Sequence, residues 1–364
     1  MARAGLGEQW QCLFANDFDF KKGATYRANW GDAGMLTKDV GKVAPSEVPD
    51  RADLVWASFP CQDLSLAGMG AGLRGDRSGT FWPFWNLVTK LDAEQRGPRM
   101  IVLENVIGTL TSHDGKDFSA IADALHVAGY SFGAVVIDAA LFVPQSRPRL
   151  FVVAVASGTS IPSAVVSDEP SEYWHTRGLR AAHDRLSERT RRSWLWWALP
   201  HPPKRSLRLR DIIEETPQGV AWHTREETAK LVASMSKLNR KKLSDAKKTG
   251  RQHIGTAYKR TRENEVRAEI RFDGVAGCLR TASGGSSRQL VVVVQGNDVR
   301  SRLMSGRETA RLMGLPDDYA LPENYNEAYH LTGDGVVVPV VRHLAANLLE
   351  PVLATPEIVA ARVA

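Results

Sequence analysis

Hydrophobic side chains follow one rhythm in the first 157 residues of this chain and a different one beyond them. Five early stretches are almost unbroken apolar runs: "WQCLFAND" (10–17), "DLVWASF" (53–59), "RMIVLENV" (99–106), "FGAVVIDA" (132–139) and "RLFVVAVA" (149–156). Continuous runs rich in Val, Ile and Leu, rather than strict alternation, predict strands covered on both faces, as in a parallel sheet. Helix-compatible stretches fall between them at about 19–29, 79–93 and 116–128. Strands and helices in alternation predict an α/β, doubly wound sheet. Ligands of such sheets sit beyond the carboxyl ends of the strands. Asp17, Cys61 and Glu104 all lie at or just past such an end.

Past residue 157 the pattern loosens. "SGTSIPSAVVSDEPSE" (157–172) reads as a linker, followed by a basic, tryptophan-bearing stretch that runs to Arg205. "TASGGSSRQ" (281–289) reads as a flexible loop leading into the strand "LVVVVQ" (290–295). A short helix is predicted in "SGRETARLMGLPDDY" (305–319), capped by Ser305 and stopped near Pro316. The chain closes on "GDGVVVPVVRHLAANLLEPVL" (333–353), a glycine turn and a long apolar helix. The predicted layout is an α/β domain over 1–158, a smaller basic domain over 159–295, and a segment 296–364 that returns to the first domain.

Charge sharpens this picture. The chain carries +6 overall, yet residues 237–271 hold twelve Lys/Arg against four Asp/Glu, so the remainder is slightly acidic. Positive charge gathered in one segment points to a polyanionic partner there, with a solvated basic surface as the alternative. Cys12, Cys61 and Cys278 are the only cysteines and form no CxxC pair. Neither a disulfide framework nor a structural zinc site is predicted, and no metal is expected. No apolar run reaches the roughly 20 residues that span a bilayer. "MARAGLGEQW" lacks the apolar core of a secretory signal, so a cytoplasmic, nucleoid-associated protein is expected.

Four groups could carry chemistry. Cys61 stands where a nucleophilic thiolate would be useful, although free cysteine is more often a small buried core residue. Glu104, before Asn105, could donate a proton at a site edge or simply cap a turn. Arg147 and Arg149, two apart before a strand, would point to one side of an extended segment and offer planar donor forks, or form surface ion pairs. Asp17 is placed to take ribose hydroxyls, with Phe18 free to cover an aromatic base.

Taken in order, "FPCQDLS" (59–65), "LENV" (103–106), "PQSRPR" (144–149), "GRETARLMGLPDDY" (306–319) and "GDGVVVPV" (333–340) resemble the DNA (cytosine-5) methyltransferase family over about 1–155 and 296–350. The resemblance implies a Rossmann-like fold that binds S-adenosyl-L-methionine and a target-recognition domain on double-stranded DNA. It implies that Cys61 adds to C6 of a flipped-out cytosine, that Glu104 serves N3, and that Arg149 binds O2 with support from Arg147. For the cofactor it implies Asp17 at the ribose, Phe18 at the adenine face, Asp39 and Val40 at the adenine edge, and further contacts from Pro60, Phe81, Gly335 and Val336. DNA contacts are implied for Gln62, Ser65, Lys241, Lys242, Lys247, Lys248 and Arg251, and for Thr281, Gly284, Gly285 and Arg288 in a base-reading segment.

A monomer working beside a cognate restriction endonuclease is the expected setting. A tRNA cytosine methyltransferase and a catalytically inactive DNA-binding relative remain as alternatives, whereas an oxidoreductase would need a complete GxGxxG. Two departures from the family pattern stand out. "MARAGLGEQW" resembles only the helix after the family's first strand and glycine-rich turn, and Asp334 stands where the last motif usually has asparagine.

Overall fold

The computed structural model describes residues 1–59, 81–262, 265–280 and 288–355. The chain forms two compact units. One comprises residues 6–137, 148–201 and 342–364; the other comprises 1–5, 138–147 and 202–341. These units divide the chain at positions other than 158 and 295.

The first unit holds strands β1 (Ala15–Asp17), β2 (Met35–Thr37), β3 (Leu54–Ser58), β4 (Met100–Val106), β5 (Tyr130–Asp138) and β6 (Pro148–Ala156). Four of the five apolar runs become strands over most of their length, whereas 10–17 forms one only at Ala15–Asp17; β4, β5 and β6 are buried almost throughout, and β1 and β3 are half-buried or exposed. β1 and β2 pair in parallel as a two-stranded sheet, and the other four form a sheet in the order β3-β4-β6-β5. β3 runs parallel to β4, but β6 runs antiparallel to it, with Glu104 opposite Phe151 and Val106 opposite Arg149. The all-parallel expectation therefore fails at β6. The link between β5 and β6 spans only residues 139–147, too short for the crossover of a dozen or more residues that a parallel return requires.

Helices cover the sheet where the sequence predicts them. Asp19 caps the helix Phe20–Trp30 by accepting from the Lys21 N–H at 2.8 Å, and Gly31 ends it at φ 78°, a left-handed value that suits glycine. The helix Phe81–Ala93 buries Phe81, Trp85 and Val88 against the core that the sheet shares with the helix Lys116–Val127. Its Leu87 and Leu91 pack instead on Val43.

Residues 157–172 do not form a linker. Val165 is buried, and β7 (Val166–Ser167) pairs with β8 (Trp196–Trp197). The tryptophan-bearing stretch belongs to this unit because its apolar side chains complete the unit's core. Leu179, Leu186 and Trp194 join the main cluster, and Trp174 and Trp197 are almost fully enclosed.

The second unit is built on an antiparallel sheet in the order β10-β9-β11-β12: β9 (Gln252–Arg262), β10 (Glu265–Arg271), β11 (Leu290–Gln295) and β12 (Asp298–Leu303). Leu243 and Ala246 of the helix Lys237–Lys248 face its core beside Ile270 and Val292. The helix Gly306–Leu312 starts at the expected Ser305, whose hydroxyl accepts from the Glu308 N–H. The apolar stretch 325–353 has the composition of a membrane span, but half of its most apolar window is buried in protein and Gly335 ends its first helix, Tyr325–Asp334.

Candidate active site

In the first unit the carboxyl ends of β3 and β4 lie side by side, with Ser58 opposite Glu104. Glu104 is 6 % exposed and meets Arg149, at the start of β6, with Nε 3.2 Å from its Oε1. Antiparallel pairing creates this contact: it returns the first residues of β6 to the end of β4. A buried carboxylate faced by a guanidinium is costly to desolvate, and removing either partner would leave the other buried and unpaired.

The next residue, Asn105, was missed as a candidate. Its Nδ2 donates to the Phe59 carbonyl at 3.0 Å, and its Oδ1 accepts from the Val106 N–H. Phe59 is the last described residue before Pro60 and Cys61, so Asn105 fixes the point from which the cysteine-bearing segment departs. Its sequence signals were its adjacency to Glu104 and its place in the "LENV" motif. Pro60, Cys61, Gln62 and Ser65 lie outside the described residues, as do Thr281, Gly284 and Gly285.

A second group gathers at the carboxyl ends of β1 and β2. Asp17 ends β1 opposite Thr37, and Asp39 follows β2. The Asp17 Oδ1 accepts from the Asp19 N–H at 2.9 Å, and the Asp39 Oδ1 accepts from the Gly41 N–H at 2.9 Å. Asn16, also missed, bridges the strands by donating to the carbonyls of Leu36 and Lys38. Phe18, between Asp17 and the helix cap Asp19, is 70 % exposed. An aromatic face open to solvent beside carboxylates at parallel-strand ends suits an adenosine moiety: the ring can stack on the base and a carboxylate can accept from ribose hydroxyls. Val40 is half-buried against the Leu87–Leu91 cluster.

Phe81 departs from its expected role. It is 0 % exposed and packs between Phe59 and Trp85, with ring centroids 5.4 and 5.8 Å away. It is a core residue and presents no surface to a cofactor.

Arg147 departs as well. It lies in the second unit, 2 % exposed, and spends its donors on that unit's backbone. Nη1 donates to the Leu279 carbonyl, and Nη2 donates to the carbonyls of Gly333 and Gly335, all at 2.8 Å. Gln145, fully buried, accepts from the Leu279 N–H and donates to the Leu312 carbonyl. "PQSR" is thus a scaffold that grips both backbone groups of Leu279, and only Arg149 reaches the buried carboxylate. Gly335 contributes that carbonyl at an ordinary φ of −75°, and a Cβ there would lie 2.2 Å from the Met1 sulfur. Val336 is buried.

Among the expected DNA contacts, Lys248 and Arg251 are exposed and Lys247 is half-buried. Lys241 pairs with Asp245 at 2.7 Å, and Lys242 donates to the Ile270 carbonyl at 3.2 Å, tying its helix to β10. Arg288 is half-buried, bonded to Asn326 and lying over the Tyr325 ring, a fixed position rather than a loose surface one.

An α/β sheet with a buried Glu–Arg pair at one strand edge and a candidate adenosine site at another is the layout of a nucleotide-cofactor enzyme. The model of the C-5 cytosine-specific DNA methylases matches residues 2–350, and the chain belongs to that family. It is 28 % identical to the type II methyltransferase M.NgoBI of Neisseria gonorrhoeae over 92 % of this chain and 85 % of that protein. It is 25 % identical to M.BsuFI of Bacillus subtilis over 96 % and 70 %. Among solved structures, the Dnmt2 methyltransferase of S. pombe superposes with a TM-score of 0.56 at 16 % identity, covering 94 % of this chain and 91 % of that one. Dnmt2 of Spodoptera frugiperda gives 0.57 at 17 %, covering 96 % and 94 %. The chain is a cytosine methyltransferase that uses S-adenosyl-L-methionine and acts on DNA.

Proposed function

We propose that this chain methylates C5 of a cytosine flipped out of a DNA duplex, through a covalent bond between the Cys61 sulfur and C6. The observation that carries the reading is the buried Glu104–Arg149 pair, beside the strand end where Asn105 holds the Phe59 carbonyl two residues before Cys61 in sequence. C5 of cytosine is too weak a nucleophile to accept a methyl cation equivalent directly. Addition of the Cys61 thiolate to C6 moves the ring electrons to C5, and Glu104 protonating N3 and Arg149 donating to O2 hold the charge that develops. C5 would then take the methyl group from S-adenosyl-L-methionine, whose sulfur keeps the S–CH3 bonding pair and leaves as S-adenosyl-L-homocysteine. Loss of the C5 proton expels the thiolate and restores the aromatic ring. A stacked base is out of reach for all of these groups, which is why the cytosine must leave the helix.

The adenosine part of the cofactor is assigned to Phe18, Asp17 and Asp39. Phe18→Ala removes one aromatic face, worth about 0.5–1.5 kcal/mol beyond area burial. The expected result is a KM for S-adenosyl-L-methionine raised about three- to tenfold with kcat preserved at saturation, the sign of lost uniform binding. Steady-state methylation at varied cofactor concentration measures it.

Duplex DNA is taken by the basic segment 237–251, with phosphates meeting its exposed lysines and arginines. The type II names of the relatives support a setting beside a restriction endonuclease of the same specificity. The deciding experiment is bisulfite sequencing of plasmid DNA from a methylation-free host that expresses the chain. Protected cytosines in one recurring context are expected. Unprotected DNA together with methylated host tRNA would replace this reading with an RNA substrate.

A further inference from the structure

Residues 281–287 lie outside the described residues, but the chain on either side of them is held closely. On the incoming side, Leu279 is fully buried. Its N–H donates to the Gln145 Oε1 at 3.1 Å, and its carbonyl accepts from the Arg147 Nη1. On the outgoing side, Gln289 is buried just before β11. Its N–H donates to the Tyr329 hydroxyl oxygen at 2.9 Å, and its carbonyl accepts from the Met304 N–H at 3.0 Å. Both backbone groups of both residues are therefore fixed by partners within the second unit.

The two sides are also joined to each other. The Tyr329 hydroxyl oxygen accepts from the Arg280 N–H as well as from that of Gln289, so one atom holds the chain before and after 281–287. Tyr329 is fully buried, in the helix Tyr325–Asp334. The Gln289 side chain makes a second link, with its Nε2 donating to the Cys278 carbonyl at 3.4 Å. Gly277 leaves room for that amide: a Cβ there would lie 2.8 Å from Nε2 and 3.1 Å from Oε1.

We propose that Tyr329 and Gln289 are positioning residues for target recognition. They close a neck beneath residues 281–287 and fix the place from which that segment meets the target bases. The inference rests on the reading of 281–288 as the base-reading segment of a DNA enzyme. Discrimination at a base edge needs donors and acceptors held in register with it, and a contact whose root is loose loses that register. A neck closed in advance also removes part of the ordering cost that binding would otherwise carry.

The test is methylation of two duplexes by the full chain. One carries the context found by bisulfite sequencing, the other has a single base pair of it changed, and the readout is the ratio of their kcat/KM values. Tyr329→Phe keeps the ring in place and removes the oxygen that both N–H groups use. The ratio is expected to fall about tenfold, within the range that one bidentate base contact is worth. A merely structural role for Tyr329 would slow both duplexes alike and leave the ratio unmoved. Gly277→Ala, Gln289→Ala and the two together form a second set that leaves the hydroxyl intact. Each removes the same link, Gly277→Ala by driving the amide out, so all three are expected to share one loss of the ratio instead of adding. A double variant that regains the parental ratio would assign the loss to crowding and overturn the role of Gln289. A parental ratio in Tyr329→Phe overturns the neck as a whole. A parent chain that does not tell the two duplexes apart overturns the base-reading assignment beneath it, and the neck's role with it.

Discussion

A chain carrying Cys61→Ala is expected to bind duplex DNA as tightly as the parent and to transfer no measurable methyl group. The thiolate is the only step in the proposed chemistry that makes C5 nucleophilic, so its removal leaves no partial route. Glu104→Gln and Arg149→Ala differ in kind. Each withdraws one stabilising contact from the developing charge, and losses of about 10²–10³ in kcat are expected while adduct formation persists. A duplex with 5-fluorocytosine at the target position separates the steps, because fluorine cannot leave C5 as a cation. The parent should form an adduct that survives denaturing electrophoresis, the Glu104 and Arg149 variants should form it slowly, and Cys61→Ala should form none. Methylation at the parental rate by Cys61→Ala would sink the covalent mechanism and move the nucleophile elsewhere.

What the sequence made legible follows from how local each cause is. Unbroken apolar runs mark strands because burial on both faces leaves no other economy of side chains, and the Ser305 cap lies one turn from its partner Glu308. The direction of β6 was not local. It depended on the nine residues 139–147 being too few for a crossover, and that reversal is what brings Arg149 to Glu104. Arg147 shows the limit most clearly. Two arginines two apart in an extended segment share a side, but β6 begins only at Pro148, so the rule did not apply. A buried guanidinium needs several acceptors, and those of Arg147 are carbonyls at Leu279, Gly333 and Gly335, more than 130 residues away. The tryptophans of 174–197 misled in the opposite way. Basic residues around them suggested a separate polyanion-binding domain, while the rings themselves serve the core of the α/β unit.

Glu308→Leu is expected to destabilise the second unit by about 3–5 kcal/mol. The ion pair between Glu308 and Arg302 is fully enclosed, with both side chains 0 % exposed. It is bidentate, with Nη1 and Nη2 each 2.7 Å from a carboxylate oxygen. The same carboxylate accepts from the Glu214 N–H at 2.8 Å and from the Ser305 N–H at 2.7 Å. Arg302 in turn donates to the carbonyls of Leu303 and Glu214 and lies 5.0 Å from the Trp222 ring centroid. Removing the carboxylate therefore strands one buried cation together with the buried Ser305 N–H and the half-buried Glu214 N–H. Replacing both partners by apolar residues, often neutral for an isolated buried pair, is not expected to rescue the unit here, because the N–H groups of Glu214 and Ser305 would still lack acceptors. Glu308→Gln keeps the volume but turns an amide N–H₂ toward one of those donors, and it should recover only part of the loss. The exposed pair Lys230–Glu226, at 74 % and 78 % side-chain exposure, supplies the control, and Lys230→Met should leave the urea midpoint almost unmoved. A midpoint for Glu308→Leu that matches this control would mean that the pair is dispensable to the unit, against the cost expected for an unpaired buried guanidinium.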